Sequence, residues 1–140
     1  MRTATTIAEL RGALDDARRS GQRVGLVPTM GYLHAGHVSL VERAAADNDV
    51  VVTTIFVNPL QFAAGEDLDT YPRDPEGDAA KAEAAGATWL FTPDTDEMYP
   101  HGRDGVLTTV AVESLSSVME GASRRTHFGG VCTVVAKLFN

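Results

Sequence analysis

Cysteine is nearly absent from this chain. With Cys132 alone among 140 residues, no disulfide can form within it, and a small fold held by cross-links is excluded. The flanking Val131, Thr133, Val134 and Val135 predict that Cys132 serves as a small buried hydrophobe, and its isolation fits a reducing compartment. Positive charge is also scarce. Twelve Lys and Arg stand against 19 Asp and Glu, a formal net charge of -7, which argues against a nucleic-acid partner because phosphate contacts are supplied mainly by basic side chains. No apolar run approaches the roughly 18 residues of a membrane span, and Met1 to Thr5 leads into no signal-peptide core. These absences predict a cytoplasmic protein with small-molecule ligands and no membrane partner. Repeats and low-complexity tracts are missing too, and a 44% hydrophobic content is enough for one domain.

The patterning that is present alternates between helical and strand periods. Ile7, Leu10, Leu14 and Ala17 share one helical face between Thr6 and Arg19, with Thr6 and Glu9 at capping-box spacing and Gly21 as the stop. The run Val24-Gly25-Leu26-Val27 predicts a buried strand ended by Pro28. A turn from Thr29 to Gly36 opens a helix whose inward stripe is Leu40, Val41, Ala44 and Ala45. The β-branched run Val50 to Val57 then reads as a strand covered on both faces. Strand, helix, strand implies parallel pairing, with the Pro28–Gly36 turn at the carboxyl edge where open α/β sheets bind ligands. Gln61 to Asp74 reads as a long exposed loop of the kind that forms lids. Asp74-Pro75 caps an Ala-rich helix closed by Gly86, and Thr88 to Phe91 is a strand. Pro93 to Arg103 is irregular, Val106 to Val112 alternates like a strand, Ser114 to Glu120 is a short helix, and Phe128 onward is an apolar helix.

One motif in this layout points to chemistry. His34-Ala35-Gly36-His37 falls between a strand and its helix. There a glycine lets backbone approach a phosphate, the helix start offers unpaired N–H groups, and two imidazoles can donate to a leaving pyrophosphate. The pattern suits nucleotidyl transfer. Two histidines that merely cap a turn remain the bland alternative.

The stretches Val27 to His37, Ile55 to Phe62, Tyr71-Pro72-Arg73 and Arg125 to Val131 together resemble, in order and spacing, the motifs of the pantothenate synthetase family, across nearly the whole chain. The first stretch alone resembles the wider nucleotidyltransferase superfamily; Asn58 to Phe62 and Thr126-His127-Phe128 narrow it. The resemblance implies a Rossmann-like nucleotidyltransferase domain, α/β with a mostly parallel sheet flanked by helices, spanning 1–140 and incomplete. It implies ATP-dependent condensation of pantoate with β-alanine through pantoyl adenylate, with Mg2+ held mainly by ATP phosphates and no dedicated metal ligand. It also implies a homodimer. Carried over by position, His34 and His37 are the catalytic pair, and Pro28, Thr29, Met30 and Gly36 line the ATP site with them. Met30, Leu40, Phe56, Asn58, Gln61 and Tyr71 contact pantoate, while Arg124 and His127 face β-alanine or phosphate.

Ordinary roles compete with several of these. Asn58-Pro59 suits a strand-ending turn, Gln61 a solvated loop, Phe56 and Leu40 a core, Arg124-Arg125 an exposed basic pair, and His127 a helix cap. Glu66, Asp67 and Asp69 read as loop acids rather than a metal cluster. The apolar helix runs to Phe139 and Asn140 without a glycine or polar tail, which predicts the amino-terminal portion of a longer polypeptide. Under the resemblance, the absent part holds a lysine segment, a second pantoate glutamine, a phosphate loop and a small carboxyl-terminal domain. An inactive binding fragment is the alternative reading.

Overall fold

In a computed structural model, residues 1–62, 68–112 and 127–140 are described. Four strands, β1 (Arg2–Ala4), β2 (Val24–Thr29), β3 (Val50–Ile55) and β4 (Trp89–Phe91), form one sheet in the order β1-β4-β3-β2. Every pairing is parallel, from Val24↔Val50 to Thr29↔Ile55 between β2 and β3, and Val52↔Trp89 between β3 and β4. The helices are α1 (Ile7–Arg19), α2 (Ala35–Asp47), α3 (Pro75–Ala84), the single turn α4 (Thr95–Met98) and α5 (His127–Phe139).

Successive residues of β3 face opposite ways, so the sheet carries two cores. Val52 packs with Leu10 and Leu14 of α1, Met98, Tyr99 and Val134 of α5. Val51 packs on the other face with Val41 of α2 and Ala82 and Ala85 of the α3 end. The predicted α1 stripe is the buried one, and Thr6 caps it through its hydroxyl, which accepts from the Glu9 amide. Asp74 caps α3 by accepting from Gly77, and Gly86 leaves that helix at φ +100°.

Several expectations are corrected. β2 does not stop at Pro28 but pairs through Thr29, because it is an edge strand and the missing proline donor faces away from β3 without loss. Leu40 is 56% exposed and only Val41 of the α2 stripe is fully buried. β1 was not foreseen: three residues carry no period of their own, and pairing with β4 creates the strand. The alternating Val106–Val112 segment forms no strand, since alternation without a partner is insufficient. Cys132 is partly exposed rather than buried. Gln61 and Phe62, expected on an exposed loop, are buried, and short 3-10 turns form at Pro59–Gln61 and Leu68–Thr70. Α short helix, α4, interrupts the stretch expected to be irregular. Glu66, Asp67, Arg124 and the expected Ser114–Glu120 helix lie outside the described residues.

Candidate functional site

The chain leaves β2 through a tightly held turn. Thr29 is the last strand residue, and its hydroxyl donates to the Thr54 carbonyl (2.6 Å) while accepting from the Gly31 amide (3.1 Å). Gly31 and Tyr32 are then left-handed, with φ of 85° and 53°. For tyrosine this conformation costs on the order of 1 kcal/mol, so the surroundings must impose it. They do so through α3. Asp78, 1% exposed, accepts the Tyr32 amide at 2.7 Å and the Leu33 amide at 2.6 Å, and Lys81 donates to the Leu33 carbonyl at 3.0 Å.

His34 follows at the N-cap of α2. Its Nδ1 accepts from the Gly36 amide (3.1 Å), and the His37 Nδ1 accepts from the His34 amide (3.3 Å), which makes a reciprocal capping box of two histidines. A nitrogen that accepts is unprotonated, so both neutral rings carry their proton on Nε2 and retain it as a donor. The rings lie 4.0 Å apart, tilted by 34°. His37 titrates below its ordinary range because it is partly buried and because His34 stands beside it; Asp78 opposes that shift. Gly36 also has a local duty. A Cβ there would stand 3.0 Å from His34 Cε1 and 3.1 Å from Nδ1, so glycine makes room for the capping imidazole.

Beside the turn, a cleft of about 310 Å³ opens at the carboxyl ends of β2 and β3. Met30 and Phe56 are in its wall with Gly31, Val57, Arg73 and Asp78. The histidines are outside this wall, one turn further along the chain. Tyr71 stacks edge-on to Phe62 with centroids 5.9 Å apart; burial and then the Asp78 charge raise its phenol pKa.

Asn58, Gln61 and His127 form a second group. Asn58 is fully buried and its amide is saturated: Nδ2 donates to Gln61 Oε1 and the Gly130 carbonyl, both at 3.0 Å, and Oδ1 accepts from Tyr99 Oη (2.9 Å) and the Leu60 amide (3.3 Å). With all four positions used, Asn58 orients Gln61 rather than offering a polar contact of its own. His127 Nδ1 lies 3.3 Å from the Gln61 carbonyl. Helix α5 reaches this group through Gly130, where a Cβ would fall 2.3 Å from the Leu60 carbonyl oxygen. Burial pushes the Tyr99 phenol up to about 12.

The structure thus unites His34 with His37, Met30 with Phe56, and Asn58 with Gln61 and His127, and it leaves Leu40 exposed on α2. Sequence reasoning missed Asp78, Lys81, Tyr99 and Gly130. Asp78 did leave a signal, being an acid in register with Ala82 and Ala85 on the inward face of an alanine-rich helix.

A parallel sheet with helices on both faces and a His-x-Gly-His cap after an edge strand defines a nucleotidyltransferase-type α/β fold. Residues 2–140 match the family model for pantoate-beta-alanine ligase. The chain belongs to the pantoate-β-alanine ligase family. Over its full length it is 57% identical to the pantothenate synthetase of Rhizobium johnstonii and 58% to that of Sinorhizobium medicae, covering 45% and 47% of those proteins. Among solved structures, pantothenate synthetase from Thermus thermophilus superposes with a TM-score of 0.87 at 54% identity, across 99% of this chain and 48% of that one. The Francisella tularensis ligase, complexed with beta-gamma ATP and beta-alanine, gives 0.86 at 37% identity, across 99% and 52%. The chain spans about half the length of the curated relatives it matches. Among the described residues no helix is long and apolar enough to cross a membrane.

Proposed function

We propose that this chain supplies the ATP- and pantoate-binding part of a pantoate–β-alanine ligase, a Rossmann-like domain of a cytoplasmic homodimer. In the first step a pantoate carboxylate oxygen bonds to the α-phosphorus of ATP and the bond to pyrophosphate breaks. In the second, the β-alanine amine attacks the acyl carbon of pantoyl adenylate, loses a proton and expels AMP, giving pantothenate.

The observation that carries this reading is the double histidine cap. His34 and His37 hold their Nε2 protons as donors, and the α2 terminus adds its dipole, so negative charge growing on a departing pyrophosphate meets fixed donors. Pro28, Thr29, Met30 and Gly36 shape the nucleotide side. Met30 and Phe56 form an apolar wall for the pantoate methyl groups, Tyr71 closes it, and Gln61, held by Asn58, hydrogen-bonds pantoate. Arg124 and His127 orient the β-alanine carboxylate or a phosphate. Mg2+ arrives on ATP and is held mainly by its phosphates, as is usual for that ion.

The test is pantoate-dependent exchange of labelled pyrophosphate into MgATP, beside His34→Ala and His37→Ala. Exchange that requires pantoate and disappears in both variants supports adenylation by this chain. Pantoate and ATP binding without exchange supports a second reading, an inactive binding portion, which the half-length match to relatives favours. Absence of both binding and exchange sinks both readings.

A further inference from the structure

Helix α3 grips the residue that precedes the histidine cap from both sides. The Leu33 amide is bound by Asp78 and the Leu33 carbonyl by Lys81, one turn apart on the same helix. The Asp78 carboxylate also takes the Tyr32 amide and has no Lys or Arg ion pair among the described residues. A buried carboxylate is rarely kept without a cation unless several donors compensate it, and here the donors are the backbone of a left-handed turn. Successive N–H groups in such a turn form a concavity that binds anions. In this molecule the protein's own carboxylate fills it.

We propose that Asp78, assisted by Lys81, is the positioning residue of the His34–His37 pair. It holds the left-handed Gly31–Tyr32 backbone and the Leu33 amide that follows in place and keeps external phosphate out of the turn, so that phosphate meets the imidazole Nε2 donors instead. The assignment rests on reading the pair as a nucleotide phosphate contact. The geometry gives it content beyond general stability: Leu33 adjoins the N-cap, so a shift of that one peptide moves both rings. Gly31 has no space to spare, since a Cβ there would stand 3.0 Å from Asp78 Oδ2. The carboxylate also acts on His37 through space, favouring its protonated form against burial and the His34 ring.

The test compares Asp78→Asn with Ala82→Gly, which loosens the same face of α3 without altering charge. The two amides lie on different carboxylate oxygens, so an asparagine in the same pose accepts from one and turns its own NH2 donor toward the other. Two readouts are taken below the melting transition of each variant: MgATP affinity by calorimetry and the His37 Cε1–H titration midpoint by NMR. Asp78→Asn is expected to weaken MgATP roughly tenfold, as loss of charge-assisted hydrogen bonds does, and to lower the His37 midpoint. Ala82→Gly should leave the midpoint unmoved and affinity within about twofold, since it touches neither turn nor charge. Equal affinity losses in both variants, or an unchanged His37 midpoint in Asp78→Asn, overturn the proposal. Should Asp78→Asn fail to fold, Lys81→Met takes its place, with roughly fivefold weaker MgATP expected from one lost hydrogen bond and no loss counting against the clamp. If the wild-type chain binds no MgATP, the phosphate reading fails, and the His37 midpoint alone then decides whether Asp78 governs the pair.

Discussion

Gly129 and Gly130 are adjacent on α5, and replacing each by alanine should have opposite effects on stability. At Gly129 an added Cβ meets nothing within 4 Å; alanine there gains the helix preference of about 1 kcal/mol over glycine. At Gly130 the same methyl would lie 2.3 Å from the Leu60 carbonyl oxygen, 2.5 Å from its carbon and 2.7 Å from the Gln61 nitrogen. These are backbone atoms of the Pro59–Gln61 turn and cannot rotate aside, so α5 must move away by roughly 1 Å to reach ordinary contact. Overpacking of that kind costs about 1–3 kcal/mol. The displacement also stretches the Asn58–Gly130 hydrogen bond, about 1 kcal/mol more. Against the helix gain of about 1 kcal/mol, Gly130→Ala should lose a net 1–3 kcal/mol while Gly129→Ala gains up to about 1. Urea unfolding followed by far-ultraviolet circular dichroism measures both. Equal midpoints for the two variants would refute the close approach of α5 to the turn.

Three further outcomes follow from groups described above. Thr53→Val should stabilise the chain by about 1 kcal/mol, because the fully buried Thr53 hydroxyl has no partner among the described residues and valine replaces it at equal size; thermal unfolding of the variant tests this, and a loss of stability counts against it. Tyr99→Phe should cost about 1–2 kcal/mol by withdrawing a donor from buried Asn58. In the parent, where folding raises that phenol to about 12, the Tyr99 contribution is whole below pH 10 and declines as pH climbs toward 12. Unfolding midpoints across that range should fall more steeply for the parent than for the variant. His37 gives the reverse sign: its folded pKa is lowered, so its contribution is present above the unfolded value near 6.5 and fades as pH drops through the folded one. Stability of His37→Gln should therefore depend less on pH between 6.5 and the folded value than that of the parent.

The layout was legible wherever a segment carried its own period. Leu10, Leu14 and Ala17 announce α1, Val50 to Ile55 announces β3, and Asp74-Pro75 with Gly86 brackets α3. Segments that borrow their structure were not legible: Arg2–Ala4 becomes a strand only against Trp89–Phe91, and Val106–Val112 alternates yet stays unpaired as a strand. The pairing of His34 with His37 at the start of α2 was legible because the motif falls in a strand–turn–helix context. Asn58 was singled out for the motif around it, but its four internal hydrogen bonds depend on partners up to 72 residues away and could not be read locally. The same holds for Gly130, which sits next to a glycine of identical appearance and different surroundings.

The strand order β1-β4-β3-β2 also dictates a sequence of events during synthesis. The segment 24–55 has every partner of a strand–helix–strand unit within itself once Ile55 has emerged from the ribosome, so the histidine cap belongs to an early local piece. Its brace is not available until α3 follows, and Arg2, although it precedes the other three described strands in the chain, waits for Trp89 before it has an edge to join. Among the four described strands, the one that comes first in the chain is thus the last to be seated, while the residues holding the histidine turn in shape arrive only after that turn has been made.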